Sequence, residues 1–195
     1  RKRIIILTIF CASCNQRIDY NELSTFSSNN HLNAIIEIPA GTNKKFEYNK
    51  KDKNFEIDKV NGVERTVAFL PYPGNYGYIP STYSDPKKGG DGDALDVLVL
   101  SESKLTGTVM ETIPIAMLKL VDDGELDYKI IAIPRKTSEQ IIKVNSFKEL
   151  NEKYPEILQI IELWFLNYNK QDEARVLGWG NKSEALKEID LHQLK

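Results

Sequence analysis

The apolar pattern of this chain changes period once, and that change limits the folds open to it. Through residues 32–134 the apolar residues come in short runs rich in Ile, Val, Phe and Tyr: LNAIIEIP, KKFEYNK, NFEIDKV, ALDVLVL, GTVMETIPIAMLKLVD and DYKIIAIP. Runs of this kind, divided by turn residues, read as strands. In the last third the spacing becomes helical. Ser146 with Glu149 has the layout of a capping box, Pro155 suits a first helical turn, and ILQIIELWFLNY repeats at helical spacing. SEALKEIDLHQL is a second amphipathic segment. Strands first and helices last predict an α+β domain, a small closed or partly open barrel flanked by C-terminal helices. Between strands, PYPGNYGYIPSTYSDPKKGG is crowded with Gly, Asn and Pro and reads as a long structured loop.

A chain of 195 residues suffices for one domain with a sizeable core. Its net charge of −2 argues against a general nucleic-acid binder. Both cysteines, Cys11 and Cys14, stand at the extreme N-terminus, so the domain has neither a disulfide framework nor a cysteine zinc site. The two histidines, His31 and His192, lie near opposite ends and leave little for a His-based metal site or a Ser-His-Asp triad. Chemistry here must run on carboxylates, Lys, Arg and Tyr.

The N-terminus reads as a separate piece. RKRIIILTIFCASC has a basic start, an apolar run and small residues before Cys14, the layout of a secretory signal. CASC resembles a bacterial lipoprotein box with Cys14 as the lipidated residue, although Cys11 stands where Leu is usual. A buried N-terminal strand is the competing reading. Residues 1–18 are therefore expected to be a signal or lipoprotein segment. Polar residues 19–30 are expected to be a linker, and residues 31–195 the domain.

GGDGDALDVLVL sets Asp91, Asp93 and Asp96 immediately before and within an apolar run. An unpaired carboxylate buried in a strand costs several kcal/mol, so Asp96 needs a partner. Alternation along a strand would send Asp96 away from the other two, and Gly89, Gly90 and Gly92 allow the bend that brings all three together. VDDGELDYK adds Asp122, Asp123, Glu125 and Asp127 around Gly124, while Glu37 and Glu47 lie in two further strand-like runs. Oxygen donors without His or Cys suit hard cations such as Mg²⁺ or Mn²⁺. An EF-hand is excluded: Glu102 is twelfth from Asp91, but the sixth position is Asp96 rather than Gly, and a strand follows. Lys45, Arg65 and Lys129 each stand close in sequence to an acid. Tyr72, Tyr76 and Tyr78 crowd a proline-stiffened loop, where a phenol donates to phosphate or a ring packs the core edge. Together these groups suit a small, highly charged phosphate. No P-loop or GxGxxG is present.

In this order, IIEIPAG, KKFEY, the Arg65 region, PYPGNYGYIP, DGDALD, VDDGELDYK, a late-helix Tyr and a final GW resemble the soluble family I inorganic pyrophosphatases over residues 33–189. DGDALD is similar to that family's Asp-x-Asp-x-x-Asp signature, with Ala94 where Pro is common. The resemblance implies an OB-like five-stranded barrel and Mg²⁺-dependent hydrolysis of pyrophosphate to two phosphates, with Mn²⁺ or Zn²⁺ as substitutes. It also implies roles. Asp91, Asp96 and Asp127 would hold a first ion, Asp96 would bridge to a second, and Asp122 with Asp127 would hold a third. Glu37 and Glu47 would act through water, and Asp93 would accept the proton. Lys45, Arg65, Tyr76, Lys129 and Tyr168 would grip the phosphates. The family usually has Lys after the tyrosine matching Tyr168. Here Asn169 stands there, so Lys170 or Arg175 serves or the contact is lost. Family members are typically cytoplasmic homo-oligomers, often hexamers in bacteria, whereas this N-terminus suggests export and a membrane tether through Cys14. The alternative is an exported, non-catalytic module binding metal or polyphosphate on the same fold.

Overall fold

Residues Val109–Asp122 form one 14-residue strand, and the rest of the sheet is arranged around it. The computed structural model describes residues 18–194. Cys11, Cys14 and the signal-like segment except its last residue lie outside the described residues. In chain order the strands are β1 (Leu32–Ile38), β2 (Phe46–Asn49), β3 (Asn54–Ile57), β4 (Lys59–Val60), β5 (Val63–Glu64), β6 (Asn75–Tyr78), β7 (Asp96–Val99), β8 (Val109–Asp122), β9 (Glu125–Leu126), β10 (Lys129–Pro134) and β11 (Arg175–Asn181). The helices are α1 (Phe147–Lys153), α2 (Pro155–Asn167) and α3 (Lys182–His192).

β8 pairs antiparallel with β10 on one side. On the other, its first residues pair with β1 and its last with β11. β10 runs parallel to β7, β7 antiparallel to β6, and β6 antiparallel to β1. The ring β1-β6-β7-β10-β8 therefore closes on itself, giving the expected five-stranded barrel. Closure removes the free edges that an open sheet would expose. A bulge in β8 helps it turn the corner: Pro114 pairs with Ala132 and Ala116 with Ile131, leaving Ile115 as the extra residue. The same irregularity tolerates a proline, which has no N–H to give the ladder.

β10 is buried at all six positions, and its period of two feeds two clusters. Ile131 and Ile133 join Leu158, Ile161, Trp164 and Phe165 of α2. Ile130 and Ala132 join Ala185 and Ile189 of α3. Ser146 caps α1 by accepting the Glu149 N–H, and Pro155 opens α2, both as the sequence predicts. The complete capping box stands elsewhere. Asn181 and Glu184 satisfy each other's backbone N–H groups at the start of α3, two residues before the segment marked in the sequence.

Three sequence expectations change. The stretch read as one long loop carries β6, a barrel strand paired on both sides with β1 and β7. The runs KKFEYNK and NFEIDKV do not enter the barrel. β2 and β3 form a separate two-stranded hairpin, as do β4 and β5. Residues 19–30 are packed rather than a free linker. Thr25 is buried, with its hydroxyl donating to the Pro80 carbonyl at 2.9 Å. Phe26 bridges to Leu32 and packs on the α3-side cluster. The two aromatic residues in this polar stretch, Tyr20 and Phe26, supply the contacts that a polar count hides.

At Gly77 of β6 an added Cβ would lie 1.9 Å from the Ile35 carbonyl oxygen in β1. The atoms it would meet are β1 backbone at Ile35 and Glu37, which cannot turn aside as a flexible side chain would. Gly77→Ala is expected to cost about 3 kcal/mol and lower the thermal midpoint by roughly 5–10 °C in a calorimetric melt.

Candidate active site

Asp96 is the first residue of β7 and Lys129 the first of β10, and the parallel register sets them side by side. The Lys129 ammonium donates to Asp96 Oδ2 at 2.5 Å and to Asp127 Oδ1, two residues before it in the chain. It also reaches the Tyr76 hydroxyl at 3.2 Å and lies 5.6 Å from the centre of the Phe165 ring. Tyr76 in turn donates to Asp96 at 2.5 Å. Lys129 is only 3% exposed, so this is a buried charge cluster. Removing one partner from such a cluster costs roughly 3–5 kcal/mol, because it strands a buried charge.

Burial pushes Asp96 above the usual carboxylate range, and Asp127 adds to this against the pull of Lys129. Burial alone would lower Lys129, but Asp127 and Asp96 reverse that, so its ammonium is held charged. Burial, with Asp96 second, raises Tyr76 well above an ordinary phenol and keeps its proton. Burial raises Asp91 and Asp122 as well, and for Asp122 the next cause is Asp172.

The loop before β7 bends where the glycines allow. Gly92 has φ of +88°, and the Asp93 N–H donates back to Asp91 Oδ1 at 3.0 Å. Asp122 ends β8, and a two-residue turn at Asp123 and Gly124, both with positive φ, returns the chain so that Glu125 faces Asp122. Glu37 reaches the site through an irregularity. Ile36 pairs with Gly77 and Ile38 with Tyr76, so Glu37 is the extra residue of a bulge in β1. Its Oε1 accepts the Tyr48 N–H at 2.8 Å, and burial pushes it up to about 8.

All twelve predicted site residues within the described chain line one cavity of about 360 Å³: Glu37, Lys45, Glu47, Arg65, Tyr76, Asp91, Asp93, Asp96, Asp122, Asp127, Lys129 and Tyr168. Cys14 lies outside the described residues. Lys45 pairs with Glu47 at 2.9 Å and Arg65 with Asp58 at 2.8 Å. Of the three tyrosines that the sequence placed in a loop, Tyr76 and Tyr78 stand on β6; Tyr76 meets Asp96, and Tyr72 packs its ring on Trp164 at 4.4 Å. Tyr78 keeps a buried hydroxyl without a partner. Trp164 also stacks on Tyr168 at 5.0 Å.

Sequence reasoning missed Asp172, which lines the cavity with the Asn169 amide donating to it at 2.5 Å. Neither Lys170 nor Arg175 lines it, so an acid rather than a base occupies that corner. Its only sequence signal is its position four residues after Tyr168. Asp123 gains a role, because its carboxylate accepts the Glu173 N–H at 2.8 Å and ties down the same loop.

Ten carboxylates and four Lys or Arg side chains line the cavity. Such a surplus of negative charge repels an anionic substrate unless cations offset it. The donors are all oxygen, which suits hard divalent ions, and Asp122 Oδ1 is buried without a hydrogen-bond partner. Among the described residues no three acids converge closely enough to ligate one ion. The cation between Asp96 and Asp127 is Lys129 itself. By donor chemistry the residues fit divalent cations.

A closed barrel with an acidic cavity rimmed by lysines, arginines and phenols is a fold and site suited to an enzyme that handles a small phosphate anion. The family model for inorganic pyrophosphatase matches residues 34–193. An inorganic pyrophosphatase of Neisseria meningitidis serogroup B is 37% identical over 162 residues, 81% of this chain and 84% of that protein. One from Saccharolobus solfataricus is 37% identical over 81% of this chain and 87% of that protein. The crystal structure of the Thermus thermophilus inorganic pyrophosphatase superposes with a TM-score of 0.75 at 26% identity, covering 89% of this chain and 95% of that one. This chain belongs to the inorganic pyrophosphatase family.

Glu37 makes stability depend on pH. Folded, it keeps its proton to about pH 8; an ordinary glutamate ionises near 4.5. Between these values the folded state holds more protons, so its stability falls as pH rises. In metal-free buffer, Glu37→Gln is expected to flatten the decline in thermal midpoint between about pH 5 and pH 8.

Proposed function

We infer that this chain hydrolyses inorganic pyrophosphate to two orthophosphates with the help of several divalent cations, Mg²⁺ foremost and Mn²⁺ or Zn²⁺ as substitutes. The observation that carries this reading is the convergence of Asp91, Asp93, Asp96, Asp122 and Asp127 with Lys45, Arg65 and Lys129 on one cavity of a chain matched by the family model. Asp91, Asp96, Asp122 and Asp127 would hold the ions, with Glu37 and Glu47 acting through water. When bound, such ions acidify water and neutralise phosphoryl charge.

The chain's own groups do the rest. Asp93 accepts the proton of the attacking water at its carboxylate, with its backbone fixed by the bond to Asp91. Lys45 and Arg65 face the charge that spreads over the phosphoryl oxygens in the transition state. Lys129 stays an ammonium and Tyr76 a protonated donor, so both offer hydrogens rather than repulsion. Burial raises Tyr168 too and keeps it a donor. Trp164 and Phe165 wall this side with rings and limit water.

The test is phosphate release from pyrophosphate. Asp96→Ala is expected to cut Mg²⁺-dependent turnover by roughly 10²–10³-fold or more in a phosphate-release assay. Wild-type protein that leaves pyrophosphate intact with Mg²⁺, Mn²⁺ and Zn²⁺ alike would sink the reading.

The same inference extends to setting. The signal-like start and CASC support export and a membrane tether at Cys14 in a bacterium. Cys14→Ser is expected to move the protein from the membrane fraction to the soluble fraction, and intact-mass analysis of the wild type to show a lipid adduct. A homo-oligomer is the proposed assembly, supported by the exposed apolar side chains Ile160 and Leu163 on α2.

A further inference from the structure

The hairpin β2–β3 carries Glu47 into the cavity, with Lys45 just before it, yet no ladder of the barrel continues into it. An isolated two-stranded hairpin is marginal in water, so side-chain contacts must seat it. Phe46 packs the start of the hairpin on the α2-side core, and the Lys45 N–H donates to the Arg65 carbonyl at 3.1 Å. The contacts nearer its turn come from the first described residues of the chain. The Tyr20 ring meets Tyr48 of β2 edge-on at 5.1 Å and Phe55 of β3 at 4.9 Å, and those two rings meet at 5.1 Å. The Tyr20 N–H reaches the Tyr48 hydroxyl at 3.3 Å. Beside it, Asp19 pairs with Lys53 at the hairpin turn at 2.5 Å.

The far end of Tyr20 holds the barrel. Its hydroxyl donates to the Gly107 carbonyl at 2.8 Å. The Gly107 segment grips the bulge in β1: Gly107 N–H donates to the Ile36 carbonyl at 2.7 Å, and the Thr106 hydroxyl to the Glu37 carbonyl at 2.8 Å. The Glu37 side chain closes the circuit by accepting the Tyr48 N–H. Packing at Gly107 is tight, since a Cβ there would come within 2.9 Å of the Tyr20 oxygen and 3.2 Å of the Phe55 ring.

We propose that Tyr20 is a positioning residue for the pyrophosphate site, clamping the β2–β3 hairpin to the barrel so that Lys45, Glu47 and the Tyr48 N–H are held against the cavity. It touches neither substrate nor cation itself. It acts through Tyr48 and Gly107. Positioning of this kind matters because small displacements of a binding group cost large factors in a preorganised site. The proposal rests on the pyrophosphatase reading only for its kinetic consequence; the seating of the hairpin stands apart from it.

The experiment uses the full chain with Tyr20→Ala and Tyr20→Phe, and Phe26→Ala as a control in the same N-terminal stretch. Amide hydrogen exchange is read on peptides covering residues 46–57, and kcat and KM for pyrophosphate are read with Mg²⁺. Tyr20→Ala is expected to speed exchange in the hairpin but not in β10, and to raise KM roughly tenfold with a smaller change in kcat, the sign of lost ground-state grip. Tyr20→Phe keeps the rings and loses only the hydroxyl, so it is expected to raise KM about threefold. It also decides the matter if the alanine variant fails to fold. Phe26→Ala is expected to lower the thermal midpoint and leave KM unchanged. Unaltered hairpin exchange in the Tyr20 variants, or an equal rise of KM in Phe26→Ala, overturns the proposal. Wild-type protein without turnover would instead count against the pyrophosphatase reading, while the exchange data would still decide the clamp.

Discussion

A buried ammonium between two carboxylates is the constraint on which the rest of this site depends. Lys129 lies under the surface with Asp96 and Asp127 on it and the Tyr76 hydroxyl beside it. Burying three charges is tolerable only when each has a partner at hydrogen-bonding distance. That requirement fixes the parallel register of β7 and β10, because a shift of one residue would send Lys129 to the opposite face of the sheet. It also fixes β6, whose Tyr76 must present its hydroxyl to Asp96. The barrel and the site therefore share their strongest local interaction.

Around this cluster, irregular backbone does the aiming. Regular strands alternate and cannot send every acid to one side. The bulge at Glu37, the turn at Asp123 and Gly124, and the bend at Gly92 each rotate one carboxylate toward the cavity. The result is a site with a large negative surplus held on a rigid closed barrel. Such a surface repels an anion such as pyrophosphate unless cations offset the surplus. In the proposed reaction the same carboxylates would hold that positive charge against the substrate, with the Lys, Arg and Tyr groups completing the complementarity.

Much of this was legible in the chain. The acids of DGDALD and VDDGELD stood out because Asp96 interrupts an apolar run, and a buried charge demands an explanation. The five-stranded barrel and the C-terminal helices followed from a single change of hydrophobic period and from the family resemblance. Other features were not legible, for physical reasons. Asp172 carries no pattern of its own; it reaches the cavity because the loop after α2 is tied by Asn169 and Asp123. Residues 19–30 read as a linker by polarity, yet two aromatic anchors and one buried threonine outweigh their polar neighbours. The capping box of α3 lay two residues outside the apolar stretch used to mark the helix.

By itself the sequence determined which chemistry was available: oxygen donors, fixed cations and phenols, no useful histidine or cysteine in the domain. It also determined where strands and helices could form, since both follow from local periodicity and turn residues. Only the tertiary structure decided that Lys129 would sit between Asp96 and Asp127, that Glu37 would reach the site through a bulge, and that β2 and β3 would stand outside the barrel. Those outcomes depend on register and closure, which are set by pairings between residues far apart in the chain, such as Leu32 with Thr112 and Asp96 with Lys129, and no local pattern encodes them.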